Sequence, residues 1–143
     1  MDQKMQALIE GLNEDLSHEY AASIMYTNNA AVVSGLYRSV LKPFFEGEIA
    51  DEQGHAIYLA EKISTLGGTP TTTPAPVKQI SEVKGMLEEA KEAERQTIKR
   101  YEERKAQAEE LGLTELSIKL DDMIADETGH MEEISRLLQD SRL

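Results

Sequence analysis

The sequence of 143 residues contains no cysteine and no tryptophan, and only two phenylalanines and four prolines. The absence of cysteine excludes disulfides, thiolate zinc sites and a rubredoxin-like iron centre. No apolar run approaches the roughly 20 residues that a membrane-spanning helix needs. Met1 to Lys4 lead straight into a patterned helix, so we expect no signal peptide and no membrane association. We predict a single domain over residues 1–143, located in the cytoplasm.

Positive charge is also scarce, because 15 Lys and Arg stand against 27 Asp and Glu, for a formal net charge of −12. Nucleic-acid binding depends on clustered Lys and Arg, so we expect no nucleic acid partner. Such acidity is typical of a soluble, self-repelling surface. Alternatively, some of the carboxylates bind metal cations. Composition alone does not distinguish an acidic surface from metal-binding carboxylates.

Apolar residues recur at helical spacing in four stretches, over residues 8–33, 41–66, 80–101 and 116–137. The breaks between them carry helix-ending residues, at Ser34-Gly35, at Gly67-Gly68 and at Gly112 with Thr114. The pattern predicts an all-α four-helix bundle. Pro43 lies early in the second stretch and predicts a kink or a late start of that helix.

A proline-rich segment, residues 67–76, joins the second and third helices and cannot be helical. At about 3.1 Å per extended residue, the chain from Gly67 to Ile80 reaches about 43 Å. A crossover of about 40 Å would let the second and third helices run parallel. The length permits this long crossover but does not by itself require it.

Charged residues interrupt each apolar face at core spacing: Glu19, then Glu52 with His55, then Glu94, then Glu127 with His130. A buried carboxylate is costly unless it is paired or bound to metal. A glutamate and a histidine three residues apart lie on the same face of a helix. Two such pairs, with one glutamate from each of two other helices, form a carboxylate-bridged dinuclear site.

The two halves of the chain repeat one another. Ile-Ala-Asp-Glu-Gln-Gly-His starts at Ile49 and Ile-Ala-Asp-Glu-Thr-Gly-His starts at Ile124, an offset of 75 residues. The same offset relates Glu19 to Glu94 and Tyr26 to Tyr101. This symmetry is expected if two helical hairpins face each other across a paired metal site.

These residues resemble the ferritin-like superfamily, and bacterioferritins most closely, over nearly the whole chain. The resemblance implies that all six residues are ferroxidase iron ligands. It implies that Glu52 and Glu127 bridge two irons, that Glu19 and His55 complete one site, and that Glu94 and His130 complete the other. Tyr26 matches a family tyrosine close to the iron pair, and is counted with the catalytic residues.

Two positions depart from the bacterioferritin pattern. Gln53 stands where that family has its haem-ligating methionine, so we expect no haem. The family's short fifth helix, which lines pores of a 24-subunit cage, is not expected after His130. A smaller shell, like that of the twelve-subunit mini-ferritins, is then an alternative, although those proteins usually build their iron site between subunits. The shell size stays open.

The six residues would hold two iron ions per chain, with manganese or zinc as substitutes. No Lys or Arg is expected on the same faces, and two divalent cations balance four carboxylates when the imidazoles are neutral. Oxygen-rich, nitrogen-poor coordination suits iron or manganese better than tetrahedral zinc. The alternative is a set of buried ion pairs or a polar network.

Several neighbouring residues have two interpretations. Tyr26 and Tyr101 either pack in the core or hydrogen-bond a ligand. Glu48 is expected as a surface residue, with iron entry as the alternative. The remaining expectations are that Asp51 and Asp126 lie off the ligand face, that His18 lies on the surface, and that Gly54 and Gly129 mark close packing.

The resemblance favours a ferroxidase that oxidises Fe²⁺ to Fe³⁺ with O₂ or H₂O₂, for iron storage or detoxification in a homo-oligomeric shell. The alternative is a di-iron peroxidase or oxygenase of rubrerythrin-like type, although the absence of cysteine removes the usual built-in electron donor. A third reading is a helical interaction module whose carboxylates are structural. The oxidant, the native metal and the choice between storage and detoxification stay open.

Overall fold

Four long helices make up most of the computed structural model, which describes residues 2–143. Helix α1 spans Gln3–Val32, α2 spans Arg38–Thr65, α3 spans Val83–Glu110 and α4 spans Thr114–Leu137. A 3₁₀ turn, Gly35–Tyr37, lies between α1 and α2. Residues 2–143 contain neither a strand nor a fifth helix, so the predicted fold class is confirmed. No helix in this range is both long and apolar enough to cross a membrane.

Three glycines end helices or turn the chain where the sequence predicted breaks. Gly35, Gly67 and Gly112 have φ angles of 81°, 94° and 70°. Glycine adopts this left-handed conformation without the steric cost that a Cβ atom imposes. The chain can therefore reverse between α1 and α2 and between α3 and α4 within a few residues.

Helix α2 runs without interruption through Pro43, so a late start of this helix is wrong. Pro43 cannot donate the backbone hydrogen bond that the carbonyl of Ser39 would accept. Both residues are exposed, which leaves that carbonyl accessible to water. The start of α3 also differs, because Ile80 precedes the helix and packs against Gly85 in its first turn.

Two apolar clusters occupy opposite ends of the bundle. One joins the start of α1, the end of α2, the end of α3 and the start of α4, through Leu12, Ile63, Ala108 and Leu116. The other joins the opposite ends of the same helices, through Ala30, Leu41, Leu87 and Ile134. Helices α1 and α2 are therefore antiparallel, as are α3 and α4, while α2 and α3 run parallel.

The segment between α2 and α3 must consequently traverse the length of the bundle, as the predicted long crossover does. It lies along α1 and is held there by hydrogen bonds. Asn13 donates from Nδ2 to the carbonyl of Thr69 (3.1 Å) and accepts at Oδ1 from the backbone N–H of Thr71 (2.8 Å). Further along, the N–H of Ala75 donates to the carbonyl of Ser17 at 2.9 Å. The polar backbone of this segment is thereby partly satisfied without a sheet or helix.

Candidate metal centre

The structure brings all six predicted ligands together in the interior, between the two apolar clusters. Helices α1 and α3 each contribute one glutamate, and α2 and α4 each contribute a glutamate and a histidine. The four glutamates Glu19, Glu52, Glu94 and Glu127 are at most 2% exposed. Carboxylates so deeply buried are expensive unless a cation or a proton compensates them.

Glu127 lies between the two histidines. Its Oε1 is 3.1 Å from Nδ1 of His55 and 3.8 Å from Nδ1 of His130. Glu52 Oε1 lies 3.6 Å from the same atom of His130. The oxygen and nitrogen atoms that could bind a metal ion form two groups, each within 4.8 Å, that share Glu52. One group comprises Glu19, Glu52, His55 and Glu127, and the other comprises Glu48, Glu52, Glu94 and His130.

Many of these buried atoms have no hydrogen-bond partner. They comprise one oxygen each of Glu19, Glu48, Glu52 and Glu94, both oxygens of Glu127, and Nδ1 of both His55 and His130. Unpaired buried donors and acceptors are rare in folded proteins because each costs free energy. Here eight such atoms converge on one place. They belong to seven residues, and six of these are the predicted ligands. This arrangement fits a binding site for cations.

Two tyrosines hold the glutamates of α1 and α3 by hydrogen bonds across the bundle. Tyr26 on α1 donates its hydroxyl to Oε1 of Glu94 at 2.7 Å, and Tyr101 on α3 donates to Oε1 of Glu19. Both rings are also fully buried. The two interpretations left open by the sequence therefore both apply, since each tyrosine packs in the core and bonds a predicted ligand.

The histidines are oriented by aspartates from the opposite helix. Nε2 of His55 donates to Oδ2 of Asp126 at 3.0 Å, and Nε2 of His130 donates to Oδ2 of Asp51 at 2.9 Å. The aspartates do lie off the ligand face, as expected, but their contact with the histidines was not foreseen. Their pairing directs the Nδ1 lone pairs toward the carboxylates, as metal-binding histidines require.

Glu48 is not a surface residue, and that expectation is wrong. It is only 6% exposed, and its Oε2 lies 2.7 Å from Nδ1 of His130, without hydrogen-bond geometry. Glu48 precedes Glu52 by four residues, so both lie on the same face of α2. That spacing was the available signal, but Glu48 has no glutamate counterpart in the internal repeat.

Two arginines lie one helical turn from the site, but neither forms an ion pair with its four glutamates. Arg104 forms a buried ion pair with Asp15, with Nε 2.7 Å from Oδ2 and Nη2 3.1 Å from Oδ1. Nε of Arg100 lies 3.8 Å from Oδ1 of the same aspartate. Asp15 is one helical turn before Glu19 on α1. The arginines therefore pair with Asp15 and leave the ligand carboxylates without a partner of opposite charge on Lys or Arg.

A family model for the ferritin-like domain matches residues 9–143. The chain belongs to the ferritin-like domain family. A ferritin-like, diiron-carboxylate protein from Bacillus anthracis is 67% identical, with 97% of this chain and 100% of that chain covered and a TM-score of 0.96. The resemblance stated from the sequence is confirmed. A comparison with curated proteins gives no match.

Two further solved structures of this family are each 25% identical to the chain. One is the bacterioferritin of Desulfovibrio desulfuricans, whose diiron site was described in different catalytic states (TM-score 0.88; 94% of this chain and 80% of that chain covered). The other is a dodecameric thioferritin, the bacterioferritin-related protein of Bacteroides fragilis (TM-score 0.87; 98% and 88% covered). The chain thus has relatives that are described as diiron proteins.

A cavity of about 220 Å³ opens on the α1–α3 side of this ferritin-like bundle, next to Glu94. His18 and Arg100 also line it, so His18 is partly buried and not a plain surface residue. Gly54 and Gly129 are exposed, and nothing lies within 4 Å of a Cβ atom added to either. Close packing at the two glycines is therefore wrong, and nothing in the structure explains them.

Protons compensate part of the negative charge of this site in the absence of a cation. Burial raises the pKa of Glu127 to about 8 and that of Glu19 well above its usual value. Burial acts to lower the histidine pKa values, but the surrounding carboxylates raise that of His55 to about 9 and that of His130 to about 11. Against the effect of burial, hydrogen bonds lower the pKa of Glu52 to about 2. The metal-free site thus holds several protons at neutral pH.

Proposed function

We propose that this chain is a ferroxidase that oxidises Fe²⁺ to Fe³⁺ with O₂ or H₂O₂ at a dinuclear site within one subunit, for iron storage or detoxification. One observation carries this proposal. Eight buried, unpartnered oxygen and nitrogen atoms converge where four helices meet. Carboxylate oxygens and imidazole nitrogens in this proportion suit iron or manganese.

Each residue of the proposed site has a role. Glu52 and Glu127 would be shared by two Fe²⁺ ions, which agrees with the position of Glu127 between the histidines and with Glu52 belonging to both groups. Glu19 and His55 would complete one position, and Glu94 and His130 would complete the other. The 67% identical Bacillus anthracis protein, described as a diiron-carboxylate protein, supports this assignment.

Two Fe²⁺ ions are needed because each gives up one electron, and two electrons with two protons reduce O₂ to H₂O₂ or H₂O₂ to two waters. The protein groups bind and orient these substrates. Asp51 and Asp126 keep the Nε2 protons of the histidines, so that Nδ1 is free to bind iron. Tyr26 donates to Glu94 and holds that carboxylate in place. Manganese or zinc would bind to the same oxygen and nitrogen atoms.

Several properties accompany this function in the proposal. A homo-oligomeric shell is supported by large apolar side chains that are exposed, among them Leu36 at 92% and Ile57 at 68%, and by the dodecameric relative from Bacteroides fragilis. We expect a cytoplasmic location. We also expect no haem, because Gln53 replaces a methionine of the bacterioferritin pattern.

The test is anaerobic loading of purified protein with Fe²⁺, followed by O₂ or H₂O₂ in separate runs. Absorbance and particle mass are recorded together. Oxidation of two Fe²⁺ per chain in a fast phase, then growth of particle mass, is expected. The spectrum before loading should lack the strong visible bands of haem. Fast peroxide consumption that depends on another electron donor, without mineral growth, would instead indicate a peroxidase.

A further inference from the structure

Four hydrogen bonds of the metal centre obey the 75-residue offset of the sequence, so that each of them in one half has a counterpart in the other. The two tyrosine hydrogen bonds, Tyr26 to Glu94 and Tyr101 to Glu19, are one such pair, and the two histidine hydrogen bonds, His55 to Asp126 and His130 to Asp51, are another. With these groups alone, the two metal positions would be equivalent.

Glu48 breaks this equivalence on one side. Its counterpart at the same offset is Met123, an uncharged residue. Both positions are buried, with Glu48 6% and Met123 5% exposed. Only the half that contains His130 therefore has an extra carboxylate, whose Oε2 lies 2.7 Å from the Nδ1 atom that would bind metal. That oxygen has no hydrogen-bond partner.

Arginines break the equivalence on the other side. Arg104 and Arg100 lie around Asp15, one turn from Glu19, with Glu14 and Glu103 as further charged neighbours. At the same offset, the counterparts of Arg104, Arg100 and Asp15 are the uncharged residues Asn29, Met25 and Ala90. The half that contains Glu19 and His55 therefore has two arginine side chains near its metal position that the other half lacks.

We propose that the two metal positions are unequal, and that the first divalent cation binds beside His130 with Glu48 as an additional ligand. This inference rests on the proposed metal centre. Glu52 and Glu127 serve both positions, so the difference must come from the unshared groups. The affinity of carboxylate sites for hard cations rises with the number of charged ligands, and buried charges are weakly screened. A preference of at least about tenfold is expected, a modest effect for one buried charge at this distance.

The second cation then binds beside His55, where it is repelled by the first cation and where Met123 stands in the place of Glu48. It should bind more weakly and exchange more readily than the first. The pair of ions is thus assembled in a fixed order, and the half-filled state contains one ion held by Glu48, Glu52, Glu94 and His130.

Crystals grown with one equivalent of Mn²⁺ per chain test the order directly, through anomalous difference density. The main peak is expected beside His130, with an oxygen of Glu48 in its coordination sphere. Equal peaks, or a main peak beside His55, would overturn the inequality while leaving the dinuclear site in place. Manganese at neither position, even in excess, would instead remove the metal centre and the proposed function with it.

Calorimetric titration of the full-length protein with Mn²⁺ tests whether Glu48 causes the tighter binding of the first ion. Glu48→Gln should weaken the first binding event by at least about tenfold, and the matched variant Glu46→Gln should leave it unchanged. Glu46 is on the same helix, but it is exposed and paired with Lys42 at 2.9 Å. Equal effects of the two variants would show that general negative charge, not Glu48 as a ligand, sets the affinity. In crystals with one equivalent of Mn²⁺, Met123→Glu should increase the anomalous density of the ion beside His55. If the folded variant shows no such increase, the proposal is contradicted.

Discussion

Nε2 of His55 on α2 donates a hydrogen bond to Oδ2 of Asp126 on α4, 3.0 Å away. The imidazole is thereby held from the side opposite to the ligand carboxylates, and its Nδ1 atom points into the site. The bond also ties the second helix of one hairpin to the second helix of the other. We expect Asp126 to act on the proposed metal site through His55, as a positioning residue.

Asp126→Ala should therefore weaken the binding of divalent metal without unfolding the bundle. Loss of such an outer hydrogen bond typically reduces metal affinity about 10- to 100-fold. Titration with Co²⁺, followed by absorbance, measures this. Asp122→Ala is the control, because Asp122 lies one turn earlier on the same helix and is exposed. Identical affinities of the two variants would refute a positioning role for Asp126.

Glu127→Gln should abolish the fast oxidation of Fe²⁺ while circular dichroism stays unchanged. The substitution keeps the size of the side chain but removes the charge that lies between the two histidines. Metal capacity should fall below the two ions per chain expected for the unmodified protein. Stopped-flow kinetics and equilibrium dialysis measure the two quantities. Glu132→Gln, at an exposed position of the same helix, should behave as the unmodified protein. Fast oxidation that survives in Glu127→Gln would mean that the assigned ligand is wrong.

The fold was predictable because its determinants are local. Apolar residues at helical spacing and the glycines at 35, 67 and 112 mark four helices without reference to their packing. The six site residues were identifiable because charged residues on an apolar face are conspicuous in the sequence. Their convergence in the structure agrees with the internal repeat, and their role as metal ligands is part of the proposed function.

The features that were missed depend on which helix faces which. Glu48 was expected to be a surface residue, because most glutamates of an acidic chain are solvated and the internal repeat gives Glu48 no glutamate counterpart that would single it out. Asp51 and Asp126 repeat in the sequence, but a helical wheel does not show that each reaches a histidine on another helix. The ion pair of Asp15 with Arg104 joins residues 89 apart and requires the α1–α3 packing to be known.

Gly11→Ala should destabilise the protein, although alanine favours helices by about 1 kcal/mol over glycine. A Cβ atom on Gly11 would overlap Nη1 of Arg104, whose guanidinium is held by Asp15. Moving this guanidinium would break a buried ion pair, so we expect a net loss of about 1–3 kcal/mol. Gly47→Ala is the matched control, because no atom lies within 4 Å of its added Cβ, and it should stabilise the helix. Urea unfolding measures both. A stabilised Gly11→Ala would show that the guanidinium moves freely.

The metal-free protein should lose stability as pH rises from about 5 to 9. Glu127, with a folded pKa of about 8, and His55, with a folded pKa of about 9, bind protons more tightly folded than unfolded, where their values are 4.5 and 6.5. The stability linked to such a group is fully present below its unfolded pKa and is lost as pH rises through its folded pKa. The stability linked to Glu127 is therefore lost between pH 4.5 and 8, and that linked to His55 is lost between pH 6.5 and 9. The lowered pKa of Glu52 changes stability in the opposite direction, so that stability falls as pH falls, but this effect is confined to pH values below 4.5.

Bound metal should remove most of this loss of stability at high pH, because cations replace the protons at the same oxygen and nitrogen atoms. Binding to the folded state stabilises it further as the metal concentration exceeds the dissociation constant. The difference in melting temperature between Mn²⁺-loaded and chelator-treated protein should therefore widen from pH 6 to pH 8. Taking this difference cancels the self-repulsion of the acidic surface, which is common to both samples. Equal melting temperatures with and without metal at every pH would show that these carboxylates and histidines do not form a buried metal site.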